Sequence, residues 1–379
     1  MNLLSDLQKW TAKGLKRTRR TIDHRYDACI KISGRDVVNF SSNDYLGLAN
    51  HPSINSAYIE GVKRYGFGSG ASAVISGYTH DQQVLEEKFA SWLNVDRTLL
   101  FNSGYHANIG VLSSLLNRHT TILSDKLCHA SILDGIQLSR ARHYRYQHNS
   151  KDHFQHLYRT VCPDIVTTES VFSMEGDIVN MDILKSHSNI VIDDAHGIGV
   201  LGSTGRGIAE YAGLSEDDYI CLVAPLGKAF NALGAIVAGR DAVIETLLQF
   251  SKSYRYTTAL PPAVHSALNA TLSIVISDSW RRANLNESVD YFNEVVDSLG
   301  LVLASKDKTP IRSIIIGDNE KVISIQNKLL ENGFFVPAIR SPTVPKGTER
   351  LRVSLNCHHT RSQISKFLEY VSECHQAKN

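Results

Sequence analysis

Between residues 97 and 239 the chain repeats one pattern, in which a short apolar run is followed by an interval, mostly of helix length, and then by another apolar run. RTLLFN (97–102), TTILSD (120–125), DIVTTESV (164–171), NIVIDDA (189–195), YICLVAPL (219–226) and GAIVAG (234–239) read as strands. Runs this apolar suit strands covered on both faces, and parallel neighbours need crossovers of a dozen or more residues between them. Just upstream, Val84, Leu85, Phe89, Trp92 and Leu93 share one helical face. The pattern predicts an α/β architecture, a mainly parallel sheet flanked by helices. In such sheets ligands collect beyond the carboxyl ends of the strands, so polar residues there are the first candidates for function.

After Pro261-Pro262 the pattern changes. A helical stretch runs from about residue 263 towards 299 with a break near Asp278, and a smaller α+β unit follows. It comprises strand-like IRSIIIGD (311–318), FFVPAIR (334–340) and ERLRVSLN (349–356), a helix over 321–332 and a final helix. The expected division is an N-terminal arm or helix (1–45), a large domain (46–275) and a small C-terminal domain (276–379), with the boundary inside helix at 265–285.

Hydrophobic residues make up 42% and charged residues 21%, the balance of a chain that folds into a globule. A net charge of +2 lacks the electrostatic footprint of nucleic-acid binding. The basic run KGLKRTRR (13–20) reads as a solvated helix face or a site for an anionic substrate tail. The six cysteines form no CxxC pair, so neither structural zinc nor a thioredoxin motif is expected. No apolar run is long enough for a membrane span and the N-terminus lacks a secretory h-region, so a cytoplasmic enzyme is the default expectation.

The strand NIVIDDA runs into Asp193-Asp194-Ala195-His196 and then GIGVLG (197–202). The glycines match a dinucleotide fingerprint, but Gly205 and Gly207 prolong the irregular stretch where a helix should open. The acidic pair with histidine reads as a metal site, as an incidental turn, or as a carboxylate holding a proton on a heteroaromatic ring with the histidine beside it. Downstream, Gly227-Lys228-Ala229-Phe230 puts a lysine in a turn between two apolar strands. Partly desolvated there, a lysine loses basicity and becomes a Schiff-base nucleophile and proton carrier. Ser103-Gly104-Tyr105, between a strand and a helix, offers backbone N–H groups to an anion or is an ordinary turn, and Tyr256-Thr257-Thr258 offers hydroxyls or is equally a plain loop.

Taken together, these segments resemble the α-oxoamine synthases, a branch of the aspartate-aminotransferase-like, fold-type I pyridoxal-phosphate enzymes. NFSSNDYLGL (39–48), GSGAS (68–72), SGY (76–78), TESVFSMEGD (168–177), DDAHGIGVLGSTGRG (193–207), GKAF (227–230) and AIRSPTVPKGTERLR (338–352) carry the resemblance, which spans about residues 38–356. It implies pyridoxal 5'-phosphate held covalently by Lys228, with Asp193 at the pyridine nitrogen, His129 stacked on the ring and His196 at the ring hydroxyl and the reacting thioester. Glu169 and Ser173 would line the cofactor pocket, Gly104 and Tyr105 would lie near the phosphate, and Asn43 and Arg352 near the amino-acid carboxylate. Arg340 and Arg17 are candidates for the distal end of the acyl donor. Where relatives carry Thr or Ser three residues before the lysine, this chain has Pro225, which shifts phosphate binding towards Thr257 and Thr258 from a neighbouring subunit. Val74, Gln82 and Asn231 are further departures, bearing on substrate handling. The implied reaction is decarboxylative condensation of an amino acid with an acyl thioester on CoA or carrier protein, in a homodimer with shared active sites. L-Alanine with a pimeloyl thioester is the favoured pair. A member using glycine or serine, a nicotinamide-dependent oxidoreductase and a non-catalytic subunit are the alternatives.

Overall fold

The computed structural model describes residues 2–12, 16 and 19–376. After a helix at Leu3–Ala12 come three short antiparallel strands, β1 (His24–Tyr26), β2 (Cys29–Ile32) and β3 (Arg35–Asn39). Ser33 and Gly34, at φ 50° and 77°, form the two-residue loop between β2 and β3, the left-handed pair that a twisted hairpin favours.

The expected strands build one seven-stranded sheet: β4 (Arg97–Phe101), β5 (Thr121–Asp125), β6 (Arg142–Tyr146), β7 (Ile165–Glu169), β8 (Ile190–Asp193), β9 (Cys221–Pro225) and β10 (Ala235–Gly239), in the order β4-β10-β9-β8-β7-β5-β6. All run parallel except β10, which is antiparallel to both neighbours. The reason is its connection: β9 and β10 are joined by a turn rather than a crossover helix, so the chain reverses. Alternate residues of each strand enter separate cores. Leu123, Val166, Ile192, Leu222 and Ile236 pack on one face, Ile122, Ile165, Val191, Val223 and Val237 on the other, which is the two-sided cover that unbroken apolar runs predict.

Strand β6 has no counterpart in the sequence reading. Its RHYRY sequence buries only Tyr146, because it lies at the sheet edge. The long helical stretch appears as Pro262–Ser277 and Ser279–Ser298, broken at Asp278 as expected. Beyond it, β11 (Ile311–Ile315), β13 (Ala338–Ile339) and β14 (Arg350–Ser354) form an antiparallel sheet. The FFVPAIR segment is two pieces, corrected from one strand. Phe334–Phe335 (β12) pairs parallel with β3, and Ala338–Ile339 joins β14 across the break at Val336-Pro337. The N-terminal strands are thereby sewn to the C-terminal unit. Among the described residues no helix is long and apolar enough to cross a membrane.

Candidate active site

Strands β7, β8 and β9 end side by side, with Glu169 paired to Asp193 and Asp193 to Val223 in the ladder. This register puts two carboxylates next to each other, 3% and 4% exposed, at the carboxyl edge of the sheet. Ligands of open α/β sheets gather at that edge. Burial pushes the Glu169 carboxyl well above its ordinary range, the Asp193 charge adds to the push, and the Lys228 ammonium opposes it. Glu169 Oε1 is buried without a hydrogen-bond partner among the described residues.

Lys228 enters from the turn after β9 and is half-buried. Desolvation lowers its amine below the ordinary lysine value; Asp193 and Glu169 work against that shift, and Arg352 adds to it. A depressed amine beside two carboxylates is a nucleophile and proton acceptor in waiting.

The two aspartates of the DDAH run point into different surroundings. Asp193 accepts from the Asn108 side-chain amide at 2.6 Å and from the Ala195 N–H at 3.0 Å. Asp194 Oδ2 accepts from the Ile208 N–H at 3.1 Å, and burial raises its carboxyl to about 7. A Cβ on Gly197 or Gly207 would sit within 1.9 Å of an Asp194 oxygen. These glycines make room for a buried carboxylate. Residues 194–207 stay irregular and the next helix, Ile208–Ala212, is a single short piece, so the GIGVLG run does not open the helix a dinucleotide site needs. Among the described residues no three His, Cys, Asp or Glu side chains converge as a metal site.

His196 is buried, and its Nδ1 lies 2.7 Å from the Tyr45 hydroxyl. Desolvation, helped by the positive charges of Lys228 and Arg352, lowers its basicity well below the ordinary value, which keeps the imidazole neutral. The Tyr45 hydroxyl lies 3.2 Å from Asn43 Oδ1, and burial pushes its phenol up to about 12. Arg352, on β14, donates to the Ser173 carbonyl at 2.5 Å, to Ser354 Oγ at 3.0 Å and to Asn43 Oδ1 at 3.3 Å. All three are neutral acceptors, so this guanidinium, 6% exposed, has no carboxylate partner among the described residues. A buried planar cation so placed is suited to a small carboxylate.

His129 caps the helix Ala130–Ser139 and is exposed, with the Tyr105 ring edge-on at 6.4 Å. The Tyr105 hydroxyl bonds to Asp134. Ser103 caps the helix Gly104–Leu115, so the first N–H groups of that helix face the end of the sheet. Gly104 lies against Pro225; a Cβ there would be 2.5 Å from the proline ring. Thr258 is tied through its carbonyl to Asn102 at 2.6 Å, which brings Thr257 and Thr258 beside the same turn within one chain. Arg340 follows β13, and Arg17 lies outside the described residues. Sequence reasoning missed Asn108, Ser131 and Tyr45, three buried polar residues in otherwise apolar stretches. A polar side chain on the apolar face of GYHANIGVLSSL was the available signal for Asn108.

Residues 35–371 match the family described as aminotransferase class I and II. The chain is 43% identical over 376 residues to 8-amino-7-oxononanoate synthase of Thioalkalivibrio sulfidiphilus, covering 97% of this chain and 96% of that one. It is 38% identical to the protein of the same name from Saccharophagus degradans, covering 98% and 97%. Among solved structures, 8-amino-7-oxononanoate synthase from Francisella tularensis superposes with a TM-score of 0.82 at 37% identity, covering 89% of this chain and 97% of that one. Serine palmitoyltransferase of Sphingomonas wittichii superposes at 0.90 with 26% identity, covering 98% and 96%.

Proposed function

This chain belongs to the aminotransferase class I and II family, and from that premise we propose that it is a pyridoxal-phosphate-dependent acyltransferase of biotin synthesis. Its reaction is the condensation of L-alanine with a pimeloyl thioester to 8-amino-7-oxononanoate, free thiol carrier and carbon dioxide. The observation that carries this reading is Lys228, a lysine of depressed basicity set against Asp193 and Glu169 at the carboxyl ends of adjacent strands.

The donors and acceptors fit the cofactor. Lys228 supplies the amine that binds an aldehyde, Asp193 an anchored carboxylate for a ring nitrogen, and His129 an exposed aromatic face. Glu169, whose Oε1 is buried without a partner among the described residues, and Ser173 would line the cofactor. The Gly104 and Tyr105 N–H groups at the helix start suit a phosphate, and the Thr257 and Thr258 hydroxyls are assigned to it from the neighbouring subunit. Bound there, pyridoxal phosphate supplies an electron-withdrawing ring that takes up charge developing at the amino-acid α-carbon.

The chain's own residues do the rest. Arg352 and Asn43 bind the alanine carboxylate and fix which α-substituent lies nearest Lys228. The Lys228 amine, its basicity lowered by desolvation, takes the α-proton. A carbon–carbon bond then forms between that α-carbon and the thioester carbonyl, and the carbon–sulfur bond breaks. With the Tyr45 hydroxyl donating to its Nδ1, neutral His196 carries its proton on Nε2 and donates it in a hydrogen bond to the thioester oxygen as that oxygen gains charge. Loss of carbon dioxide leaves the α-carbon to be protonated again, by Lys228. Arg340 and Arg17 are assigned to the acyl donor's distal end.

The same proposal takes 46–275 as the cofactor domain and 276–379 as the small domain, with the arm 1–45 allied to the latter through the β3–β12 pairing. It takes the protein as a cytoplasmic homodimer with shared sites. Phe67, Ile75 and Tyr256, exposed at 94%, 80% and 75%, are apolar surface of the kind a subunit interface covers. A monomer by light scattering would overturn that part. The activity is tested with purified protein, pimeloyl-CoA and each amino acid, following thiol release. L-Alanine should support release; release with glycine or serine but not alanine would refute the assignment.

A further inference from the structure

Asn108 lies in the helix Gly104–Leu115, 2% exposed, directly beneath the site. Its Nδ2 donates to Asp193 Oδ2 at 2.6 Å and to Ser131 Oγ at 2.9 Å. The amide nitrogen thus faces a carboxylate oxygen and a hydroxyl oxygen, both acceptors. Both amide hydrogens are then used. Ser131 Oγ receives one of them, which leaves its own hydrogen for His129 Nδ1, 2.8 Å away. The same Nδ1 accepts from the Ser131 N–H at 3.3 Å. A ring nitrogen that accepts carries no proton, so the neutral His129 ring is protonated at Nε2.

We propose that Asn108 is a positioning residue that fixes the Asp193 carboxylate and, through Ser131, the tautomer of His129, so that one amide sets both the edge and the face presented to the cofactor. All the anchoring members are buried: Ser131 at 0%, Asn108 at 2% and Asp193 at 4%. The relay therefore has no water to substitute for a lost partner. Its geometry depends on two helices meeting closely at Gly135, where a Cβ would come within 3.0 Å of the Asn108 carbonyl. The cofactor half of the proposal rests on the functional reading above; the tautomer half does not.

The test uses full-length protein freed of cofactor, titrated with pyridoxal phosphate by visible absorbance, with thermal melts alongside. Asn108→Leu removes both donors at similar volume and should weaken cofactor affinity about 10- to 100-fold, the range for a hydrogen bond to a charged group. Asn108→Asp sets two carboxylates together. They share a proton at low pH and repel above it, so the affinity deficit relative to wild type should widen as pH rises, a trend that simple loss of packing does not produce. Ser131→Ala keeps the bond to Asp193 and should cost less affinity. Nitrogen-15 spectra of histidine-labelled, cofactor-free protein, assigned with His129→Asn, should show Nδ1 of His129 unprotonated in wild type and a mixture of tautomers in Ser131→Ala. Wild-type-like affinity in both Asn108 variants, or a protonated Nδ1, would overturn the relay. If Asn108→Leu does not fold, Asn108→Asp and Ser131→Ala decide. Failure of wild type to take up pyridoxal phosphate would instead refute the functional reading, while the tautomer measurement would still judge the relay.

Discussion

Gly207 and Gly66 share a backbone conformation, φ 82° with ψ −153° and −165°, that only glycine adopts without strain, yet their surroundings are opposite. A Cβ on Gly66 meets nothing within 4 Å, whereas one on Gly207 would lie 1.8 Å from Asp194 Oδ2 and 3.2 Å from the Ile198 nitrogen. Gly66→Ala should therefore report the backbone strain alone, about 1–3 kcal/mol. Gly207→Ala adds displacement of a buried carboxylate from the Ile208 N–H, about 1–3 kcal/mol more. Equilibrium urea unfolding of the two variants against wild type measures the difference, and cofactor titration measures its reach. Because Asp194 adjoins Asp193, Gly207→Ala should also weaken cofactor affinity, and Gly66→Ala should not. Equal destabilisation by both substitutions would show that Asp194 moves aside freely. The packing account of this glycine-rich run would then fail.

Borohydride reduction in the presence of pyridoxal phosphate should add one phosphopyridoxyl group, the cofactor less one oxygen atom, to wild type and none to Lys228→Ala, read by intact-protein mass spectrometry. Arg352→Lys removes the planar fork and should raise KM for L-alanine by about tenfold or more while changing KM for the thioester little; the reverse pattern would remove Arg352 from the amino-acid site. Gly135→Ala should separate two helices by a few tenths of an ångström, because its Cβ meets the Asn108 carbonyl at 3.0 Å and Leu112 Cβ at 3.1 Å. A loss of about 1–3 kcal/mol with weaker cofactor binding is expected, and unchanged binding would detach the helix contact from the site. His148 lies 3.0 Å from Asp125 and 3.1 Å from Asp177. Burial opposes its charge, but the two carboxylates outweigh that and raise it to about 10. Its folded value lies above the unfolded one, so the stabilisation is complete below about pH 6.5 and lost as pH rises through about 10. The stability gap between wild type and His148→Ala should close over that window, and a gap independent of pH would refute the charged clamp.

Strands buried on both faces were legible because their apolar runs admit little else; β8 and β9 also announced their own ends through Asp193 and Lys228. Strand β6 was not, since an edge strand with one buried residue, Tyr146, has neither run nor alternation. Nor was β12, two residues long and defined wholly by its pairing with β3. Lys228, Asp193 and His196 could be singled out by position in the pattern. Asn108 could not be paired with Asp193 from sequence, because 85 residues separate them and only the packing of the helix Gly104–Leu115 against the sheet brings them together.

That separation also explains how the site divides its labour. Lys228, Asp193 and Glu169 are fixed by the large sheet, where the ladder sets their spacing. Arg352 belongs to β14, and Asn43 and Tyr45 to the segment after β3, joined to β14 by the bond from the Ser354 N–H to the Phe40 carbonyl at 2.8 Å and, just beyond it, by that from the Cys357 N–H to the Tyr45 carbonyl at 2.9 Å. The proposed carboxylate clamp and the hydroxyl that orients His196 thus ride on one connected piece. A shift of that piece relative to the large sheet would move the bound amino acid and the His196 partner together, leaving Lys228 where it is. Substitutions that loosen the β3–β12 seam, such as Phe334→Ala, should therefore lower kcat and raise KM for the amino acid while leaving cofactor affinity unchanged. Loss of cofactor affinity in that variant would show that the two halves of the site are not held independently.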